Sequence, residues 1–246
     1  MNKYERGHED PGTGQETLEI FAHTERFNRW MFGHLSRWCR GHVLEIGSGI
    51  GNLSAMLLEE FDKVSLSDIR SDYCDVLCRR FGGLPNLDRV FRMDMGEPDL
   101  EGVFPELPGK FDSILSSNVV EHVKDDLLAI KNCHAMLRPG GRLVVLVPAF
   151  GSLYNSFDEL LGHYRRYNRK GLSALLRKGG FTLVESHYFN AVGIAGWWFS
   201  GVVLGKKKLP EGQLALYNRL VPLVRMADAL TFHRIGLSVI AVGEKI

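Results

Sequence analysis

The chain has 246 residues, and its 30 Lys and Arg residues are balanced by 29 Asp and Glu residues. This length suits one large α/β domain or two small ones, and a charged fraction of 24% argues against disorder, collagen and coiled coil. The net charge of +1 provides no general attraction for nucleic acid, and four cysteines are too few for a disulfide scaffold.

Helices and strands alternate along most of the chain. Helices are predicted over residues 15–39, 52–61, 71–81, 125–137 and 168–178. Strands are predicted over residues 42–46, 63–67, 88–93, 111–116, 142–147, 181–187 and 237–242. The Pro- and Gly-rich residues 96–109 are predicted to form a loop. The alternation predicts one α/β domain, in which a parallel sheet carries helices on both faces.

An uncharged segment, Tyr188–Leu204, lies between the last two predicted strands, and Lys206–Lys208 follow it. A helix that spans a bilayer needs roughly 20 apolar residues, and this segment also contains Asn190 and Ser200. We therefore expect it to cover the core or a substrate, with contact to a membrane surface as the alternative. The N-terminal residues carry no apolar signal region, so we expect a cytoplasmic location.

The first predicted strand runs into a loop that contains Gly47, Gly49 and Gly51. A dinucleotide-binding loop has its third glycine one position later, where this chain has Asn52, and the Lys of a phosphate-binding P-loop is absent. Glu45 precedes the loop, and its carboxylate would repel a pyrophosphate. The loop therefore favours a ligand with a cationic amine and a sulfonium.

Two further acids follow the next two predicted strands. An acid in the position of Asp68 can bind both hydroxyls of a ribose. Asp94, followed by Met95, can bind the amino group of an adenine and flank its ring. Together with Glu45, these acids match the amine, ribose and adenine of S-adenosylmethionine (SAM).

These motifs, with Ser117–His122 (SNVVEH) and Arg138–Arg142 (RPGGR), resemble the ordered motifs of class I SAM-dependent methyltransferases. The resemblance implies a Rossmann-like sheet of seven strands in the order 3-2-1-4-5-7-6, with strand 7 antiparallel. It also divides the single domain into consecutive parts. These are a helical cap (1–40), a SAM-binding core (41–187), a helical insertion or substrate lid (188–235) and the last strand (236–246).

The resemblance implies cofactor contacts along one edge of the sheet and on the N-terminal helix. The residues are Glu45, Gly47, Ser48, Gly49, Gly51, Asn52, Asp68, Ile69, Asp94, Met95, Asn118, Val119, His122 and Trp30, with Asn28 as an alternative to Trp30. For Trp30 the other interpretation is packing of the helix. For His122 the interpretations are a core residue, a wall of the cofactor pocket and a general base.

Gly162–Tyr167 (GHYRRY) and Gly236–Ile240 (GLSVI) resemble a bacterial methyltransferase subgroup. We expect the acceptor to contact aromatic and basic residues in and near these segments. They are Tyr154, His163, Tyr164, Arg165, Arg166, Tyr167, Trp197 and Trp198. The guanidinium forks suit a carboxylate or phosphate, and His163 can accept a proton, as can His122. The alternative is a basic loop in which the arginines pair with acids such as Asp158 and Glu159.

The sequence thus predicts methyl transfer from SAM to an oxygen or nitrogen of a small, lipophilic or acidic acceptor. No set of metal ligands is visible in the sequence spacing, so a metal-independent reaction is expected. The alternatives are a non-catalytic SAM-binding module and an NAD-dependent oxidoreductase, and the displaced third glycine argues against the latter. Contact with a membrane surface or a lipid-linked substrate is left open, as is the oligomeric state.

Overall fold

A computed structural model describes residues 11–199 and 211–246 of the protein. The described helices alternate with strands. The helices are α1 (Pro11–Ala22), α2 (Glu25–Ser36), α3 (Ser54–Glu60), α4 (Ser71–Phe81), α5 (Leu100–Val103), α6 (Asp126–Met136), α7 (Ser156–Leu160), α8 (Arg169–Lys178), α9 (Gly193–Trp198) and α10 (Glu211–Leu230). The strands are β1 (His42–Ile46), β2 (Lys63–Asp68), β3 (Leu87–Arg92), β4 (Phe111–Ser117), β5 (Leu137–Pro148), β6 (Thr182–Phe189) and β7 (Ser238–Glu244).

The strands form one seven-stranded sheet in the order β3-β2-β1-β4-β5-β7-β6. Pairing is parallel from β3 to β5, whereas β7 is antiparallel to both β5 and β6. The predicted fold is therefore confirmed. Ile46 is in register with Ser67 on one side and with Ser116 on the other. The parallel strands consequently end together, and the loops that follow them share one edge of the sheet.

Apolar side chains bury both faces of the sheet. Along β5, Val145 and Val147 belong to one core, and Val144 and Leu146 belong to the other. Successive side chains of a strand point to opposite faces, so the apolar run of β5 supplies both cores. The central sheet is thus held by packing on either side, which fixes the loops at its edge.

The predicted N-terminal helix 15–39 is wrong as a single element, because the chain forms α1 and α2 with a break at His23 and Thr24. Phe27 donates its backbone N–H to Asn218 Oδ1 of α10 at 3.1 Å. The first turn of a helix leaves N–H groups without helical partners, and this one finds its partner in the later helix. The break therefore reflects a contact distant in sequence.

Two further boundaries differ from the prediction. β5 begins at Leu137 rather than at residue 142, because Gly140 donates its N–H to the Lys245 carbonyl at 2.6 Å and extends the pairing. The predicted loop 96–109 contains α5, whose N-terminus is capped by Asp99 accepting from the Gly102 N–H at 3.1 Å. The first difference depends on a hydrogen bond to a residue distant in sequence, and the second depends on a local one.

The predicted insertion leaves the sheet after β6 and returns at β7. Its described parts contain α9 and α10, and residues 200–210, including the predicted apolar Val202–Leu204, lie outside the described residues. Leu237 N–H donates to the Asn190 carbonyl at 2.9 Å, and Ala191 N–H donates to Asp228 Oδ1 at 2.6 Å. These bonds join the two ends of the insertion. Within the described residues, we find no helix whose length and apolar content would suffice to cross a membrane.

Candidate active site

The glycine loop after β1 has a backbone that only glycine adopts easily. The φ angles of Gly47, Gly49 and Gly51 are 77°, 54° and 90°, in the left-handed region. A Cβ on Gly47 would collide with Val119 Cγ2 beyond β4, and a Cβ on Gly51 would lie 2.6 Å from Phe81 Cε2 of α4. The glycines therefore stand at the positions where the loop packs directly against Val119 beyond β4 and Phe81 of α4.

Glu45 is buried beneath this loop, with 4% of its surface exposed. Ser54, at the start of α3, donates its hydroxyl to Glu45 Oε2. Burial raises the pKa of Glu45 to about 7, and the charge of Asp68 adds to this effect, while hydrogen bonds from Ser54 and Ser48 oppose it. A nearby cation would reverse the shift, because it favours the ionised carboxylate.

Asp68 ties the end of β2 to the glycine loop. Its Oδ2 accepts the Gly49 N–H at 2.8 Å, and its Oδ1 accepts the Arg70 N–H at 3.0 Å. Burial raises the pKa of Asp68, although these backbone hydrogen bonds act against it. Ile69 follows with 43% of its surface exposed, beside the carboxylate. Each carboxylate oxygen retains a further lone pair that can accept a ligand hydroxyl.

The ends of β3 and β4 complete this edge. Asp94 Oδ1 accepts the Gly96 N–H at 2.8 Å, and Met95 is 3% exposed within the core. Asn118 is exposed and has a positive φ of 54°, and its N–H donates to the Leu146 carbonyl at 2.8 Å. The strained turn at Asn118 brings the following residues toward the glycine loop.

The N-terminal helices cover this edge through a residue that the sequence prediction missed. The Leu18 carbonyl of α1 accepts a hydrogen bond from Asn52 Nδ2 at 2.9 Å. The Leu18 side chain covers Gly49, because a Cβ on Gly49 would lie 3.0 Å from Leu18 Cδ1. Trp30 is 6% exposed and packs with its ring centroid 4.3 Å from that of Phe189. This position favours the packing interpretation of Trp30. Its contact with a cofactor, like that of buried Asn28, stays a prediction.

A buried ionic group lies beyond β5, where the GHYRRY segment folds back. Asp158 Oδ1 lies 2.7 Å from His163 Nδ1 and 2.7 Å from Arg166 Nε, and Asp158 is fully buried. Burial acts to raise the pKa of Asp158, but the hydrogen bonds from His163 and Arg166 outweigh it and hold the pKa below its usual value. Asp158 thus orients the imidazole and neutralises the guanidinium.

His163 faces the turn that follows β4. The Tyr164 N–H donates to the Glu121 carbonyl at 2.9 Å, which joins the two segments. His163 Nε2 lies 4.0 Å from Glu121 Oε1, and the ring centroids of His122 and His163 are 4.6 Å apart. Burial and the neighbouring His163 lower the pKa of His122 to about 3, so this ring is neutral at physiological pH.

The two arginines of the segment have acidic partners. Arg166 is 1% exposed at its side chain and also donates to the Ala149 carbonyl at 3.1 Å, while its guanidinium lies 4.6 Å from the Trp197 ring centroid. Arg165 Nη1 lies 2.8 Å from Asp126 Oδ2. The structure therefore favours the ion-pair alternative, in which these charges are already compensated.

The aromatic candidates divide into buried and exposed groups. Tyr167 is 8% exposed, and its hydroxyl donates to Asp126 Oδ2 at 2.9 Å. Tyr154, Tyr164 and Trp198 are 37%, 45% and 51% exposed, so their rings are accessible to a ligand. Tyr154 donates its hydroxyl to the His163 carbonyl at 2.8 Å, which keeps it beside the ionic group.

Comparisons with known proteins identify the domain. Residues 44–143 match a family model described as "Methyltransferase domain". A relative named ubiquinone biosynthesis O-methyltransferase, from Xanthomonas euvesicatoria pv. vesicatoria, is 30% identical over 156 residues, which cover 58% of this chain and 63% of the relative. The namesake from Xanthomonas campestris pv. campestris is 31% identical over 101 residues, 41% of this chain and 40% of the relative. The chain thus spans only about two fifths to three fifths of these curated relatives.

Solved structures share the fold at low identity. A Thermotoga maritima SAM-dependent methyltransferase, titled a possible histamine N-methyltransferase, has a TM-score of 0.62 at 16% identity, over 94% of this chain and 95% of that one. Phosphoethanolamine N-methyltransferase 2 of Haemonchus contortus, solved with SAM, has a TM-score of 0.58 at 19% identity, over 85% of this chain and 50% of that one. The predicted class I fold is confirmed, residues 44–143 match a methyltransferase domain, and the likeness of the GHYRRY segment to one bacterial subgroup stays a prediction.

Proposed function

We propose that this chain, which has a methyltransferase domain on the class I methyltransferase fold, transfers the methyl group of SAM to a small acceptor. The observation that carries the proposal is the position of Glu45, Asp68 and Asp94. They follow one another at the ends of three adjacent strands, around a loop that only glycine can form. Acids at these places suit the ammonium, the ribose hydroxyls and the adenine amino group of SAM.

The residues at this edge fit the cofactor group by group. Glu45 would hold the ammonium, since a cation offsets the burial of its carboxylate. Asp68 would accept the ribose hydroxyls on its remaining lone pairs. Asp94 would accept the adenine amino group, and exposed Ile69 would flank the ring. When bound, SAM supplies a methyl group on a positively charged sulfur, which is already activated toward a nucleophile.

The chain then has to position the acceptor, exclude water and handle the acceptor proton. Positioning in line with the methyl group is worth up to about 7–11 kcal/mol in well-oriented systems. We assign the acceptor proton to His122 and His163, because Asp158 fixes the His163 ring and the two ring centroids lie 4.6 Å apart. We assign Arg166 no role in binding the acceptor, since its charge is neutralised by Asp158.

The acceptor is proposed to be a small molecule with an apolar body. Exposed rings provide apolar surface on Tyr164, which follows His163, and on Trp198 and Phe199, which follow the Trp197 that contacts Arg166. The names of the sequence relatives support an oxygen acceptor, whereas the names of the two structural neighbours refer to nitrogen methylation. A lipid-linked acceptor would suit the same rings.

Calorimetric titration with SAM tests the cofactor site. Asp68→Asn removes the charge but keeps the size of the side chain, and we expect SAM to bind at least about tenfold more weakly. Asp72→Asn is the matched control, because Asp72 lies in the first turn of α4, where it pairs with Arg70 at the surface. Unchanged SAM affinity in a folded Asp68→Asn protein would contradict the assignment.

A further inference from the structure

We propose that Glu121, His122 and His163 bind a divalent first-row transition-metal ion beside the acceptor site. The role of this ion in catalysis rests on the proposed function, whereas the binding itself does not. Sequence spacing predicted no metal, because His163 is distant from the other two residues along the chain. The fold brings them together.

The first argument is the position of the donor atoms. One ligand atom from each of the three side chains lies within 4.8 Å of the other two, and His163 Nε2 is 4.0 Å from Glu121 Oε1. Donor atoms around a metal at about 2.1 Å are roughly 3–4 Å apart, so small side-chain rotations would complete the site. The backbone hydrogen bond from Tyr164 to Glu121 holds the two segments in register.

The second argument is the carboxylate behind His163. Asp158 is fully buried, and its Oδ1 lies 2.7 Å from His163 Nδ1. The proton of the neutral ring therefore sits on Nδ1, and the lone pair of Nε2 points to the Glu121 side. Metal-binding histidines usually have such a carboxylate or carbonyl partner on the other ring nitrogen. Arg166 balances the charge of Asp158, so this carboxylate adds no net charge.

The third argument is the charge and type of the ligands. Glu121 is 0% exposed, and the side chain of His163 is 8% exposed. Two neutral imidazoles and one carboxylate give a buried net charge of −1, which a divalent cation compensates. Two imidazoles with one carboxylate suit zinc or iron and bind manganese more weakly, whereas magnesium and calcium prefer oxygen ligands alone. Three protein ligands also leave coordination positions open.

An open position gives the ion a function in the proposed reaction. A hydroxyl oxygen of the acceptor would coordinate there, and the cation would lower its pKa. The O–H bond then breaks with its electron pair left on oxygen, and the proton passes to solvent. His122 and His163 would thus act on the acceptor proton as ligands of the ion, and the site would favour a hydroxyl acceptor over an amine.

Manganese binding to the full chain, stripped of metal and kept without SAM, tests the proposal. Electron paramagnetic resonance of free Mn²⁺ gives the bound fraction, and pulsed measurements detect nitrogen coupled to bound Mn²⁺. We expect one bound ion with coupling to two imidazoles, which Zn²⁺ displaces because it binds such ligands more tightly. Mn²⁺ bound without nitrogen coupling, or no binding, would overturn the site.

Variants separate the proposed ligands from other histidines. His163→Gln should weaken Mn²⁺ binding at least about tenfold. Asp158→Asn removes the charge that orients the His163 ring and also neutralises Arg166, and should weaken binding about 10–100-fold. His34→Gln is the control, since His34 lies in a different histidine group, 3.4 Å from His187 Nε2. Equal binding by His163→Gln and the unaltered protein would refute the proposal.

Two measurements keep the outcomes distinct. Thermal unfolding shows whether each variant is folded, and Glu121→Gln provides a second ligand variant if His163→Gln is not. The Asp68→Asn protein should bind Mn²⁺ normally while binding SAM weakly. Loss of SAM binding alone therefore bears on the cofactor site, and loss of Mn²⁺ binding alone bears on the metal site.

Discussion

The cofactor edge (Glu45–Asn52, Asp68 and Asp94) and the acceptor edge (Glu121, His122 and residues 158–167) are built differently. At the cofactor edge the carboxylates of Asp68 and Asp94 accept backbone N–H groups within the same or the adjacent strand end. At the acceptor edge, side chains contact side chains: Asp158 contacts His163 and Arg166 within one segment, and the His163 ring approaches His122 of the segment after β4. The first edge depends on backbone shape, and the second depends on charge balance.

The largest expected effect concerns the ion pair of the acceptor edge. Arg166→Ala should lower the free energy of unfolding by about 3–5 kcal/mol, because it leaves the buried Asp158 carboxylate without its guanidinium. Arg165→Ala is the matched neighbour. Its pair with Asp126 is partly exposed, so we expect a loss below about 1 kcal/mol. Chemical denaturation of both variants measures the difference, and equal losses would show that charge burial does not govern this edge.

A smaller effect is expected for backbone shape at the cofactor edge. Gly47→Ala combines a left-handed φ of 77° with a collision against Val119, and should cost about 2–4 kcal/mol. Gly33→Ala provides the opposite case. Gly33 lies in α2 with no atom within 4 Å of its added Cβ, so alanine should stabilise the protein by about 0.5–1 kcal/mol. Thermal unfolding measures the expected destabilisation by Gly47→Ala and the expected stabilisation by Gly33→Ala. A Gly47→Ala protein as stable as the unaltered protein would contradict the strain argument.

The smallest effect is the pH dependence of SAM binding at Glu45. The raised pKa of about 7 means that the carboxyl is protonated below this pH, and a ligand ammonium must displace the proton. Affinity should therefore rise up to about tenfold per unit as pH increases toward 7, and level off above it. Calorimetry in buffers of different ionisation enthalpy counts the protons released. Glu45→Gln should remove the dependence, and a dependence that persists in this variant would assign it to another group.

The cofactor edge could be predicted from sequence because chain order determines it. An acid that ends a parallel strand reaches the common edge whatever packs around it. The position of Glu45, Asp68 and Asp94 at this edge was therefore predictable, and their contact with SAM stays a prediction. Glu121 could not be joined to His163 in this way, because their contact depends on the fold of the segment after β5. Leu18 was missed for the same reason.

The acceptor edge was predicted only as a set of candidates. The sequence analysis named Arg165 and Arg166 as acceptor contacts and left open that they pair with acids instead. In the structure both are paired, Arg165 with Asp126 and Arg166 with the buried Asp158. Residue type cannot distinguish a guanidinium that binds substrate from one that neutralises a neighbour. That distinction requires the burial of Asp158, which a charge pattern does not reveal.

The closure of the insertion at its base has a consequence for divergence among related chains. Residues Asn190 and Leu237 are joined by a main-chain hydrogen bond where the chain leaves and re-enters the sheet. Changes of length or composition within the segment between them can therefore leave the register of β6 and β7 intact, provided that α10 keeps its contact with Phe27 and its place in the core. In the proposed function, acceptor preference would diverge through this insertion, which lies at the end of the sheet opposite to β2 and β3.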